Sequence, residues 1–223
     1  LKEVMETFSK AHPKAGLFYA TTPPGPLLKI MEHGGILLGN LAIRVRPHVF
    51  ISPPHVLDRL KDMGRVKRHR RLASSRGSVL LVPKNNPENI CDIPDLKAKN
   101  LTLFISNPRT EKVSFTGYAR TVNSLAKEEL IPEDLDDAKD AGGPLRLMTG
   151  NAVHHREGPE AVAEGQADAA ILYYHLALRF KRIFPDFFDL VPLGGTIEDP
   201  NPLPGNRISH IHAGLVDTPG PWG

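Results

Sequence analysis

No other part of the chain confines its fold as tightly as the segment from Val153 to Tyr174. A polar and potentially cationic turn, His154-His155-Arg156, leads to Pro159, whose fixed φ suits the start of a helix, and Gly165 stops that helix about two turns later. A short apolar strand follows at once and ends in the paired tyrosines Tyr173 and Tyr174. A helix and a strand this close together belong to a layered α/β architecture, in which a sheet is covered by helices.

The same alternation runs through the chain. Strands are expected at Ala15 to Thr21, Pro47 to Ser52, Ser78 to Val82, Leu101 to Ile105, Arg146 to Thr149, Phe187 to Pro192 and Ile208 to Val216. Helices are expected at the amphipathic opening (Val4, Met5 and Phe8 on one face, with a stop at His12-Pro13), at Leu27 to Glu32 and at His55 to Met63. Further helices are expected from Ile93, from Gly117, and over His175 to Phe184, where Pro185 is the stop. Thr21-Thr22 and Ser52 stand just before prolines, the pattern of a hydroxyl N-cap. Because strands and helices alternate, the sheet is parallel or mixed.

Composition narrows the function classes. With 40% hydrophobic residues in 223, the chain can bury real cores, and no stretch reaches the ~18 apolar residues of a membrane-spanning helix. No membrane insertion is expected. The net charge of +3 is mild, and the basic run Arg65 to Arg71 lacks interleaved aromatics, so it reads as a solvated segment and not as a nucleic-acid surface. The lone Cys91 excludes an internal disulfide. The chain opens at Leu1 in a helix with no leader pattern, so a signal segment and a first strand are expected to be missing from this sequence.

Chemistry is sparse. There is no Gly-x-Ser-x-Gly elbow and no phosphate-cradling Gly-x₄-Gly-Lys-Ser/Thr loop, and Glu157 and Glu160 read as partners of a helix dipole, so no catalytic residue is assigned. What remains suits capture of an anion. Helix starts carry unpaired N–H groups and positive dipole ends, which places Thr21 and Thr22 at one anion-friendly turn and His154, His155 and Arg156 at another. The two tyrosines should point to opposite faces, with Tyr173 toward a ligand. Metal capture is the alternative, with His154, His155 and His175 as ligands and His210 and His212 at i, i+2 on one strand face.

Four pieces resemble the type II periplasmic binding fold, most closely the molybdate/tungstate-binding proteins of ABC transporters and their uncharacterised relatives. They are Thr21 to Leu28, His48 to Ser52, Val82-Pro83-Lys84-Asn85-Asn86-Pro87 through Ser106-Asn107-Pro108 to Gly117-Tyr118-Ala119, and Glu160 to Tyr174. The resemblance implies two α/β lobes joined by a two-strand hinge with the ligand between them. Here they would be residues 1–81 with 188–223, and 82–187. It also implies a soluble, monomeric protein, periplasmic or extracellular, whose partner is an ABC permease and whose ligand is a molybdate-like oxyanion, sulfate, phosphate or a small carboxylate. No cofactor is implied beyond that bound oxyanion, or a transition metal in the alternative. The family's hydroxyl contact would fall on Thr21 or Thr22, a main-chain contact around Lys112 to Ser114, and the tyrosine contact on Tyr173.

Overall fold

The structure, a computed structural model, describes residues 2–17, 19, 28, 29, 31, 36–38, 41–43, 47–133, 135 and 143–217. The chain forms two compact units, Leu1–Arg71 with His212–Gly223, and Leu72–Ile211. Both divisions differ from the expected 81/82 and 187/188, because the strands that hold those positions pair with each other inside the second unit's sheet.

In the first unit, α1 (Lys2–Ala11) ends where expected, with His12 N–H donating to the Phe8 carbonyl. The next N–H, that of Ala15, is taken by His12, so the chain turns there, and residues 15–17 and 19 lie outside any strand. An antiparallel pair, β1 (Ile36–Leu38) and β2 (Leu41–Ile43), follows. β3 (Val49–Ser52) alternates exposed and buried residues and leads into α2 (Pro54–Asp62). Pro53 is the N-cap of α2 and no side chain caps it. Ser52 is instead the last residue of β3, where it pairs with His212. The basic run is solvated, with Lys67, Arg68, Arg70 and Arg71 exposed, and it is part of an edge strand, β4 (Val66–Ser74), in the sheet order β3-β10-β4. Exposed Lys and Arg side chains on an edge strand discourage pairing with other chains. Met31, Phe50, Leu57, Leu60, Val66 and Val216 form the core.

The second unit is a five-stranded sheet, β7-β6-β8-β5-β9. Its strands are β5 (Ser78–Pro83), β6 (Thr102–Phe104), β7 (Arg146–Met148), β8 (Ala169–Tyr173) and β9 (Phe188–Pro192). β6 is parallel to β7 and β8, whereas β5 runs antiparallel to β8 and β9, so the sheet is mixed. The period of two along each strand sorts its side chains onto two helical layers. Leu80, Val82, Leu103, Ala169 and Ile171 meet α3 (Ile93–Ala98) and α4 (Lys112–Ala126) on one face. Val79, Leu81, Phe104, Ala170 and Leu172 meet α5 (His154–Ala163) and α6 (Tyr174–Ile183) on the other. Strands covered on both faces read as unbroken apolar runs, which is why Val79 to Val82 and Ala169 to Leu172 carry no polar alternation. β10 (His210–Val216) returns to the first unit's sheet.

Candidate binding edge of the second unit

In an open α/β sheet, ligands sit outside the carboxyl ends of the parallel strands, where the following helices begin. β6, β7 and β8 are those strands here, and they run into α4, α5 and α6 respectively. Side chains tie the three connections together. Asn107 donates from Nδ2 to the Gly150 carbonyl (2.8 Å), and Glu111 accepts the His154 N–H at 3.0 Å. The Tyr118 and Tyr173 rings lie 5.0 Å apart.

α5 begins at His154, so Pro159 lies inside the helix and the expected turn His154-His155-Arg156 is the helix's first turn. The cause is a carboxylate that folds back. Glu157 accepts the Asn151 and Ala152 N–H groups, both at 2.9 Å, while Glu111 takes that of His154. Helix start signals of this kind outweigh a proline one and a half turns in, and Gly158 before it removes the Cβ that would resist helical geometry. That glycine also seats α5 closely on the sheet, since a Cβ there would come within 3.2 Å of Phe104 and Ala170. Partial burial opposes ionisation of Glu157, but N–H donors from Asn151, Ala152 and Val153 outweigh it and hold the carboxyl below its usual range. Of the amides expected to hold an anion at α5, that of His154 is taken by Glu111 and that of Arg156 by the Val153 carbonyl at 2.9 Å, while Glu157 takes those just before the helix.

α4 is different. It starts at Lys112, well before the expected Gly117. Its N-cap Glu111 makes no side-chain capping bond, and Val113 in its first turn is 90% exposed. The main chain of Lys112 to Ser114, the expected family contact, is therefore the open helix start of this edge.

His154 is buried between Phe104 (ring centroids 6.0 Å) and Tyr118 (5.0 Å). Desolvation, reinforced by the neighbouring His155, lowers its pKa to about 4, so the ring is neutral at pH 7. Its hydrogen bond to the Ile171 main chain leaves Nε2 buried without a partner. The Ser106 hydroxyl, at the start of the connection that follows β6, is likewise fully buried and unpartnered. Sequence reasoning passed over Ser106, although its place before Asn107-Pro108 at the end of an apolar strand is a recognisable signal.

His155 is half-buried, Arg156 is exposed, and His175 stacks on Tyr173 with centroids 6.1 Å apart. Burial, then His155, lowers the His175 pKa. Desolvation raises the Tyr173 pKa against the opposing charge of Arg207, and burial pushes Tyr118 up as well, so both phenols are hydrogen-bond donors at neutral pH. Tyr174 is the first residue of α6 rather than a strand residue, and its hydroxyl is committed to the Ile197 carbonyl at 2.6 Å. Thr21 and Thr22 lie outside the described residues.

Among the described residues no group of three His, Cys, Asp or Glu side chains is placed to hold one ion. His154 packs as an aromatic, His210 bonds Ser74 at 2.9 Å, and His212 bonds His69 at 2.8 Å.

The second unit is a mixed sheet layered by helices, with buried hydroxyl and imidazole groups at the carboxyl edge of its parallel strands. The model of the bacterial extracellular solute-binding protein family matches residues 1–210, and the chain belongs to that family. None of the curated proteins matches it. Among solved structures it is similar to the tungstate-binding protein TupA of Desulfovibrio alaskensis G20, with 14% identity over 97% of this chain and 76% of that one and a TM-score of 0.61. A substrate-binding domain assigned to a molybdenum ABC transporter of Clostridium difficile gives 14% over 97% and 80%, with a TM-score of 0.60. Iron-bound HitA of Pseudomonas aeruginosa gives 15% over 95% and 69%, with a TM-score of 0.56. At these identities the likeness speaks of fold, and the fold is the type II periplasmic binding fold.

Proposed function

We propose that this solute-binding protein captures a small anion, a molybdate-like oxyanion, sulfate, phosphate or a small carboxylate, and delivers it to an ABC permease. The observation that carries the reading is the chemistry left available at the carboxyl edge of β6, β7 and β8. Its two carboxylates, Glu111 and Glu157, are turned onto main-chain N–H groups, while Ser106 Oγ, the Tyr173 hydroxyl, the first turn of α4, the guanidinium of Arg156 and the His155 and His175 rings are not so committed. An edge that neutralises its own acids and keeps donors and cations suits a negative guest. Structural neighbours that handle tungstate or molybdenum agree with the anion, and those named as ABC transporter components agree with the permease.

The test is a thermal-shift screen of the full chain against sodium molybdate, tungstate, sulfate, phosphate and small carboxylates. A ligand bound only by the folded state raises the melting temperature, by the equivalent of about 2.7 kcal/mol at a hundredfold excess over Kd. At least one anion is expected to do so. Stabilisation by zinc or nickel with no response to any anion would contradict the reading.

A further inference from the structure

We infer that Arg207 is a ligand-binding residue of this edge, carried on a loop fastened opposite the Tyr173 end of β8, where its guanidinium grips an oxyanion or carboxylate group. The inference rests on the small-anion reading and names the residue that supplies the fixed charge.

The placement follows from the residue before it. Asn206 is 4% exposed, and its side-chain amide clamps both main-chain groups of Ser78. Oδ1 accepts the Ser78 N–H at 2.7 Å and Nδ2 donates to the Ser78 carbonyl at 2.9 Å, with a second bond to the Leu193 carbonyl at 3.0 Å. Ser78 is the register partner of Tyr173 across the β5–β8 ladder. Gly77 makes the approach possible, because a Cβ there would come within 2.7 Å of the Asn206 amide, and its carbonyl accepts the Tyr174 N–H at 3.0 Å. The loop carrying Arg207 is therefore fastened directly opposite the end of β8. No carboxylate pairs with Arg207 among the described residues, whereas Arg120 pairs with Glu133 at 2.8 Å.

Chemically the pair is apt. A guanidinium presents a planar, permanently charged fork that matches two oxygens of an oxyanion, and a phenol adds a neutral donor from a second direction. Arg156, the arginine favoured by sequence, lies in the first turn of α5, where carboxylates already occupy the neighbouring amides. Arg207 sits in the Pro/Gly-rich loop where no periodicity marks it, which is why sequence reading missed it.

The experiment is calorimetric titration of the full chain, of R207Q and R207K, and of R146Q as a control at the amino end of β7. The titrants are sodium molybdate, sulfate, phosphate and succinate, with melting curves taken without anion. R207Q is expected to weaken the tightest-bound anion by about tenfold or more, the scale of a charge-assisted hydrogen bond. R207K should fall between R207Q and wild type, R146Q should stay within about twofold, and all melting temperatures should match. Wild-type binding with R207Q inside about twofold would overturn this inference while leaving the anion reading intact. Equal losses in R207Q and R207K accompanied by lowered melting temperatures would make Arg207 structural and overturn it as well. Failure of every anion on the wild type would overturn the anion reading and this inference together.

Discussion

His154 shows how a residue that reads as a solvent-facing cation becomes an interior aromatic. It is 3% exposed, packed by Phe104 and Tyr118, and its pKa is lowered from 6.5 to about 4. The linkage has a definite sign. Between pH 4 and 6.5 the unfolded chain binds a proton at this site that the folded chain refuses, so stability falls as pH drops through that window. The loss approaches roughly 3 kcal/mol near the lower limit. Replacing His154 by Phe, which keeps the ring packing, is expected to flatten this part of the pH–stability curve. Denaturant melts of wild type and H154F at pH 7 and pH 4.5 check it, and an unchanged difference between the two pH values in H154F would contradict the assignment. The sequence could not show the burial of His154, since a His-His-Arg run before a proline looks identical in a loop and in a first helical turn.

At the scale of elements, α5 ends as expected and begins where it was not expected. Its end is a Schellman motif: Gln166 N–H bonds the Ala161 carbonyl at 2.8 Å, Gly165 N–H bonds that of Val162 at 3.2 Å, and Gly165 has φ +71°. Gly165→Ala is expected to lower stability by about 1 kcal/mol through the left-handed backbone alone, because nothing lies within 4 Å of the added Cβ. A thermal or urea melt showing no loss would contradict that. The C-terminal signal is local and therefore legible. The start depends on Glu111, distant in sequence, and on Glu157 folding back, so the proline was the only visible mark and it misled. The same division holds elsewhere. The buried runs of β5 and β8 were readable because burial on both faces leaves only apolar residues. β4 was hidden by its Lys and Arg side chains, which an edge strand can carry without disturbing its main-chain ladder. The β1–β2 pair was missed although Gly39-Asn40 stands between two apolar triplets, a usable hairpin signal.

For the molecule as a whole, the family, the α/β class and the mixed sheet were legible, since alternation and motif order survive without any contact information. The candidate site was legible only in part. Tyr173 and the Lys112 to Ser114 turn fall at the carboxyl edge, but the His154 and Arg156 amides of α5 are taken by Glu111 and the Val153 carbonyl, and Arg207 emerges only once β8 and the 194–209 loop are brought together. In the proposed function it is this edge that holds the anion. The most direct measurement is calorimetric titration of the full chain and of a Ser106→Ala/Tyr173→Phe double variant with the anion that most raises the melting temperature. One-to-one binding by the wild type is expected, with a loss of about tenfold to a hundredfold in the double variant, on the scale of two missing hydrogen bonds. Binding of undiminished affinity in the folded double variant would contradict it.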